Sequence, residues 1–217
     1  MMKADDVAHY LQSHPKFFED YAELLAHLYV PHPHTGRAIS ITERQILGLR
    51  EKARKLESKL VELIHFGEEN DAIGEKVHQF VLTLLAAGDA VSTLAVARHQ
   101  LQAEFRVPFV ALRLWAEHAP LSGPEVAPVS EALRDSASAW NQPYCGPVAE
   151  TEALGWFGDA APELRSMALV PLRHGGRVVG LLALGSDDPQ RFYPEMGTLF
   201  LERMGDMLGA ALTAHSR

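Results

Sequence analysis

The stretch from Met167 to Gly185 limits the fold more than any other part of the chain. Met167-Ala168-Leu169-Val170-Pro171-Leu172 leads into Arg173-His174-Gly175-Gly176-Arg177, and Val178-Val179-Gly180-Leu181-Leu182-Ala183-Leu184-Gly185 returns. Two apolar runs joined through Gly-Gly describe an antiparallel hairpin, because glycine reaches the positive φ that a two-residue turn needs. The returning run is apolar at odd and even positions alike. Side chains alternate faces along a strand, so both faces of this one must be covered, and it belongs in the middle of a sheet with layers on either side.

A further strand is expected over 108–115, with Phe109, Ala111, Arg113 and Trp115 on one face and Val110, Leu112 and Leu114 on the other. Tyr144 to Val148 reads as a short extended segment. Helical spacing of apolar residues predicts helices over 90–105, 129–139 and 194–214, the last beginning at Pro194, a favourable first-turn residue. The expected fold class is therefore α+β: an antiparallel sheet flanked by helices, with 194–214 packed on one face beside the helices that precede residue 105.

Ahead of the sheet lies a long helix. Ser40 and Glu43 have the spacing of a capping box. Ile46, Leu49, Ala53, Leu56, Leu60 and Leu63 then step by alternating three and four residues, the seam of a coiled coil, with charged residues at most positions between. Phe66, Asn70, Ile73, Val77, Phe80 and Leu84 resume the rhythm after a phase slip near Gly67. A narrow stripe with charged flanks predicts a helix–helix contact between two copies; the alternative is one amphipathic helix lying on its own domain. Upstream, residues 4–29 read as short helices, the first capped by Asp5 or Asp6 and interrupted at His14-Pro15, and Val30 to Gly36 is a break rich in proline. The chain thus divides into 1–38 (short helices and a Pro/His loop), 39–87 (long helix) and 88–217 (sheet domain).

Composition narrows the function classes. A hydrophobic fraction of 47% with 22% charged residues suits a packed core, and a net charge of −8 argues against nonspecific binding to nucleic acid. Arg44, Arg50, Lys52, Arg54, Lys55 and Lys59 form no basic face, since Glu43, Glu51, Glu57 and Glu62 are interleaved with them. One cysteine, Cys145, admits no internal disulfide and fits a reducing compartment. With no signal-like N-terminus and no run of about 18 apolar residues, a cytoplasmic protein without a membrane span is expected.

The run Ser166 to Leu172, then Gly176 to Gly185, Ser186-Asp187-Asp188, Arg191-Phe192 and Phe200-Leu201 resembles the C-terminal half of a GAF domain. The whole chain is similar to domain-of-unknown-function family 484, a bacterial GAF-like family. The matching elements are His14-Pro15-Lys16-Phe17-Phe18, Pro31-His32 with Gly36, Ile41-Thr42-Glu43-Arg44-Gln45 with Leu49-Arg50, Tyr144-Cys145-Gly146, and Leu184-Gly185-Ser186. The resemblance implies a sensory or regulatory GAF-like module. Genes of the family often stand beside one for a tyrosine recombinase, which implies a partner in DNA recombination.

A GAF-like pocket on the Phe109 face would let Arg113 anchor an anion and Trp115 stack on a ring, with Tyr144, Cys145, Trp156 and Phe157 on loops around it. The plainer alternative is that helices cover this face. Cys145 invites a redox or attachment role, but no cation adjoins it in sequence, and a small buried residue is the simpler reading. His32 and His34, with His14 and His27 upstream, lack the convergent third and fourth ligands of a metal site. Asp187 and Asp188 read as a turn. Gly175-Gly176 opens no helix and so is no phosphate loop, and the serines show no nucleophile elbow. A GAF-fold sulfoxide reductase needs several cysteines. The expected function is therefore a non-enzymatic, dimeric GAF-like regulatory module with an unidentified small-molecule ligand. The rival is a protein-interaction adaptor that binds none.

Overall fold

The computed structural model describes residues 3–31, 38–115 and 121–214. The chain divides into two compact units, Met1–Glu68 and Glu69–Arg217. In the first, α1 (Ala4–Ser13), α2 (Phe17–Asp20) and α3 (Ala22–His27) are followed by two three-residue strands, β1 (Tyr29–Pro31) and β2 (Ala38–Ser40), which pair antiparallel. The expected caps Asp5 and Asp6 lie inside α1 instead: Lys3 is the cap residue, and its amide donates to Asp6 Oδ2 at 2.9 Å. The break at His14-Pro15 is present, with His14 stacked on Tyr10 at 4.2 Å. Neither β1 nor β2 was expected, because strands this short, one ending in proline, leave no alternation to read.

α4 is one continuous helix, Ile41–Ala86. The side chains of Ser40 and Glu43, and residues His32 and His34, lie outside the described ones. No break interrupts the helix at Gly67, so the phase slip there is a shift of the apolar stripe and leaves the backbone intact.

The second unit holds a four-stranded antiparallel sheet in the order β3-β6-β5-β4, from β3 (Phe109–Leu114), β4 (Tyr144–Pro147), β5 (Ser166–His174) and β6 (Arg177–Ser186). β6 is flanked by β3 (Leu112 opposite Leu182) and β5 (Val170 opposite Leu182), the central place its two apolar faces require. Gly175 and Gly176 close the β5–β6 turn with φ of 58° and 79°. α5 (Ala90–Ala103) starts on Asp89, whose Oδ1 accepts the Ser92 amide at 2.7 Å. α6 (Glu131–Ala139) is capped by Ser130.

Alternation sorts the core into two layers. Leu112, Leu114, Ala168, Val170, Leu172, Leu182 and Leu184 point to one face, where Val77, Phe80 and Leu84 of α4, Ala97 and Leu101 of α5, and Met204, Leu208 and Leu212 of α7 (Leu199–Ala214) cover them. Ala111, Met167, Leu169, Leu181 and Ala183 point to the other, beneath α6 and a 3-10 segment, Glu152–Glu163. The expected antiparallel α+β sheet with α7 beside the earlier helices is the observed fold.

Two boundaries differ. α7 begins at Leu199 and not at Pro194: the stretch before it turns so that Phe192 is buried, and the helix is entered at Thr198, whose carbonyl accepts the Glu202 amide. Trp156 and Phe157, expected in a loop, fall in a 3-10 segment, Glu152–Glu163, kinked at Gly158, where φ is 54°.

Candidate functional site

Five of the six candidate pocket residues meet on the α6 face of the sheet. Trp115, Tyr144, Trp156 and Phe157 all pack against the cluster built on Ala111, Met167, Leu169 and Leu181. Arg113, on the same strand face, places its guanidinium 5.0 Å from the centre of the Trp156 ring and donates Nη1–H to the Leu112 carbonyl at 3.0 Å. Burial draws its pKa below the ordinary arginine value, and the carboxylates of Glu125 and Glu152 work in the opposite sense. Trp115 donates its indole N–H to the Val178 carbonyl at 3.0 Å, and the Arg134 guanidinium lies 5.9 Å from its ring. Glu152, which starts the 3-10 segment, accepts the Ser130 amide at 3.2 Å and so holds that segment to the start of α6. Tyr144 donates its hydroxyl proton to the Pro147 carbonyl at 2.7 Å.

The arrangement is an aromatic layer with two guanidinium groups against it, Arg113 on Trp156 and Arg134 near Trp115. The guanidinium that was expected to meet an anion already lies against Trp156, in the field of two carboxylates.

Cys145 does not join them. Its neighbour Tyr144 faces α6, and consecutive strand residues face opposite ways, so Cys145 points into the other layer, paired across the sheet with Ala168. Burial pushes the Cys145 thiol up from 9.0 to about 11. The nucleophilic thiolate is therefore scarce at neutral pH. The sign for stability follows from linkage. An unfolded chain loses this proton above pH 9, while the folded chain keeps it up to about 11, so the contribution of Cys145 is present below pH 9 and declines between the two values. We expect wild-type stability to fall more steeply than that of Cys145→Ala across that window in urea titrations; parallel curves would mean that the thiol is solvated.

On the Cys145 side of the sheet a cleft of about 560 Å³ opens between α4, the turn after α5 and the start of α7. Little in the sequence signals it. Arg191 and Phe192 counted only as part of a family pattern, and Arg106 carried no turn signal because its left-handed backbone, φ 53°, is one usually marked by glycine. Asp188 behaves as the turn it was read as, its Oδ1 accepting the Gln190 amide at 2.8 Å. Among the described residues no group of three or more His, Cys, Asp or Glu is placed to hold a metal, and no helix is long and apolar enough to cross a membrane.

A four-stranded antiparallel sheet in the order β3-β6-β5-β4 with helices on both faces is an α+β domain. The chain belongs to the family described as "Protein of unknown function, DUF484", whose model matches residues 1–216. It is 26% identical over 211 residues to the uncharacterized protein YigA of Salmonella typhimurium, covering 93% of this chain and 87% of that one. Among solved structures it is similar to free methionine-R-sulfoxide reductase from Neisseria meningitidis in complex with its substrate, at TM-score 0.48 and 20% identity over 66% of this chain and 89% of that one. It is also similar to the GAF domain of an Acinetobacter phosphoenolpyruvate-protein phosphotransferase, at TM-score 0.48 and 17% identity over 65% and 93%.

Proposed function

We propose that the chain is a regulatory GAF-like module that acts as a homodimer, paired through the seam of α4. One observation carries this reading. Leu49, Leu56, Leu60 and Leu63 stand 67%, 59%, 58% and 66% exposed, with Ile46 and Ala53 of the same stripe also exposed. Among the described residues of its own unit the stripe covers no core. Its three-four spacing suits a second copy of itself, because a twofold axis sets each apolar residue against an equivalent one. The same helix sends Val77, Phe80 and Leu84 into the sheet domain, so a ligand that repacks that core has a continuous element through which to shift the pairing. Sedimentation of the full chain at micromolar concentration tests the assembly: a dimer is expected, and a monomer overturns it.

A second reading, an interaction adaptor without a ligand, draws on the aromatic layer. With Trp156 seated on Arg113, the set Arg113, Trp115, Tyr144, Trp156 and Phe157 is filled by its own side chains. Arg113→Ala tests whether an anion uses that face. A metabolite bound there should raise the wild-type melting temperature and lose most of that effect in the variant; an equal rise in both places the ligand elsewhere.

A further inference from the structure

The cleft on the opposite face combines an apolar interior with a cationic mouth. Leu101, Phe105, Leu184, Phe192 and Met204 supply the walls. Lys76, Arg106 and Arg191 stand around it with Glu104 as the one carboxylate among the lining residues, in a chain whose net charge is −8. Its volume of about 560 Å³ lies within the range of small-molecule pockets, roughly 300–1,000 Å³.

Two features show how the mouth is set. Arg191 donates Nη2–H to the Phe105 carbonyl at 2.6 Å, and Lys76 donates Nζ–H to the Glu104 carbonyl at 3.1 Å, so both cations are anchored on the turn that follows α5. One bond uses one of five guanidinium donors and one of three ammonium donors, which leaves donors for a bound anion. Directly after these two carbonyls comes Arg106, the one described residue other than glycine with positive φ, at 53°. Glycine holds such a backbone without the Cβ clash that arginine incurs. A strained arginine at the mouth of a cleft is what a site that uses the side chain would keep.

We infer that this cleft binds an anionic amphiphile: an unbranched acyl chain along the accessible side chains of Ile73, Phe105, Phe200 and Leu201, over a floor of buried Leu101, Leu184 and Met204, with its carboxylate held by Arg106 and Arg191. The apolar interior favours the chain, and the excess of cations at the mouth favours the charge. The site shares no lining residue with the Arg113 layer or with the stripe from Ile46 to Leu63, so it is tested separately from the proposed dimer.

The test is calorimetric titration of the full chain with dodecanoate, with dodecanol as its neutral counterpart and with phosphatidylglycerol vesicles as a membrane source of the same chemistry. Saturable binding of one dodecanoate per chain is expected, with dodecanol and vesicles at least roughly ten-fold weaker. Arg106→Gly keeps the left-handed turn and removes the cation; it should weaken dodecanoate roughly ten-fold or more while leaving the melting temperature equal or higher. Arg191→Gln should weaken it as well, whereas Arg113→Ala and the monomeric seam variant should bind as wild type. Absence of dodecanoate binding, equal binding of dodecanol, preference for vesicles, or wild-type affinity in Arg106→Gly would each overturn the inference.

Discussion

Gly209→Ala is expected to destabilise the protein by about 3 kcal/mol, near the top of the range for overpacking a core. α7 lies so close to β5 that a Cβ at Gly209 would sit 2.6 Å from the Arg173 carbonyl oxygen, 2.8 Å from the Arg173 nitrogen and 3.1 Å from its carbonyl carbon. All three are backbone atoms of β5, paired there with β6 (Arg173 opposite Val178), so none can yield by a change of rotamer. Gly205 makes the same approach one turn earlier, with a Cβ 2.7 Å from the Pro171 carbonyl oxygen. Two effects compete. Alanine gains about 1 kcal/mol over glycine in helix propensity, but the clash either lifts α7 from the sheet or bends β5, and Leu208 and Leu212 of the same helix are buried in the layer it covers. The clash should dominate. Gly74→Ala in α4 is the matched control, since a Cβ there meets nothing within 4 Å, and it should stabilise by up to about 1 kcal/mol. Urea unfolding checks both: a lowered midpoint with unchanged slope for Gly209→Ala and a raised one for Gly74→Ala. Equal stability of Gly209→Ala and wild type would mean that α7 packs further from the sheet.

The parts of this fold legible in the sequence are those where burial forces a pattern. β6 is apolar on both faces because it is central, and Gly175-Gly176 marks its turn because no other residue holds positive φ as easily. β3 alternates visibly, and its two faces enter the two layers as the alternation predicts. Where the backbone is held by a few local bonds, the pattern vanishes. β1 and β2 are three residues each, and the start of α7 depends on how Phe192 is buried and on Thr198, not on Pro194.

The candidate pocket was legible in part for the same reason. Arg113 and Trp115 share a face because they are two residues apart. Tyr144 and Cys145 cannot share one because they are adjacent, a consequence of strand geometry that separates Cys145 from the aromatic layer. That Trp156 would lie on Arg113 depends on a kink at Gly158 and on Glu152 holding the Ser130 amide, contacts between segments whose sequences carry no mutual signal. The cleft was less legible still. Its mouth is assembled from α4, the turn after α5 and the approach to α7, and the turn is built on an arginine in a conformation that sequence reading reserves for glycine.

Replacing Leu56 and Leu60 together with glutamate is expected to convert the dimer to a monomer while leaving the far-ultraviolet circular dichroism unchanged. Both side chains are exposed in the single chain, so the substitutions remove no contact from its own core. Leucine and glutamate have similar helix propensities, so α4 should persist. In a paired seam the consequences differ. Four leucines per dimer are lost, at roughly 1.5–3 kcal/mol each if fully buried, and four carboxylates approach one another in their place. Burying unpaired charge is unfavourable, and like charges facing across a seam repel. Surface ion pairs along α4, such as Lys55 with Glu51 at 2.8 Å, are exposed and screened by solvent, too weak to hold two chains together. The apolar seam therefore decides assembly. A variant that still sediments as a dimer would locate the interface elsewhere, and a variant that unfolds would show that α4 is held by contacts other than those of a seam between copies. Leu85→Glu, at a residue of α4 that is 75% exposed and off both apolar stripes, separates these outcomes: it should leave the dimer intact.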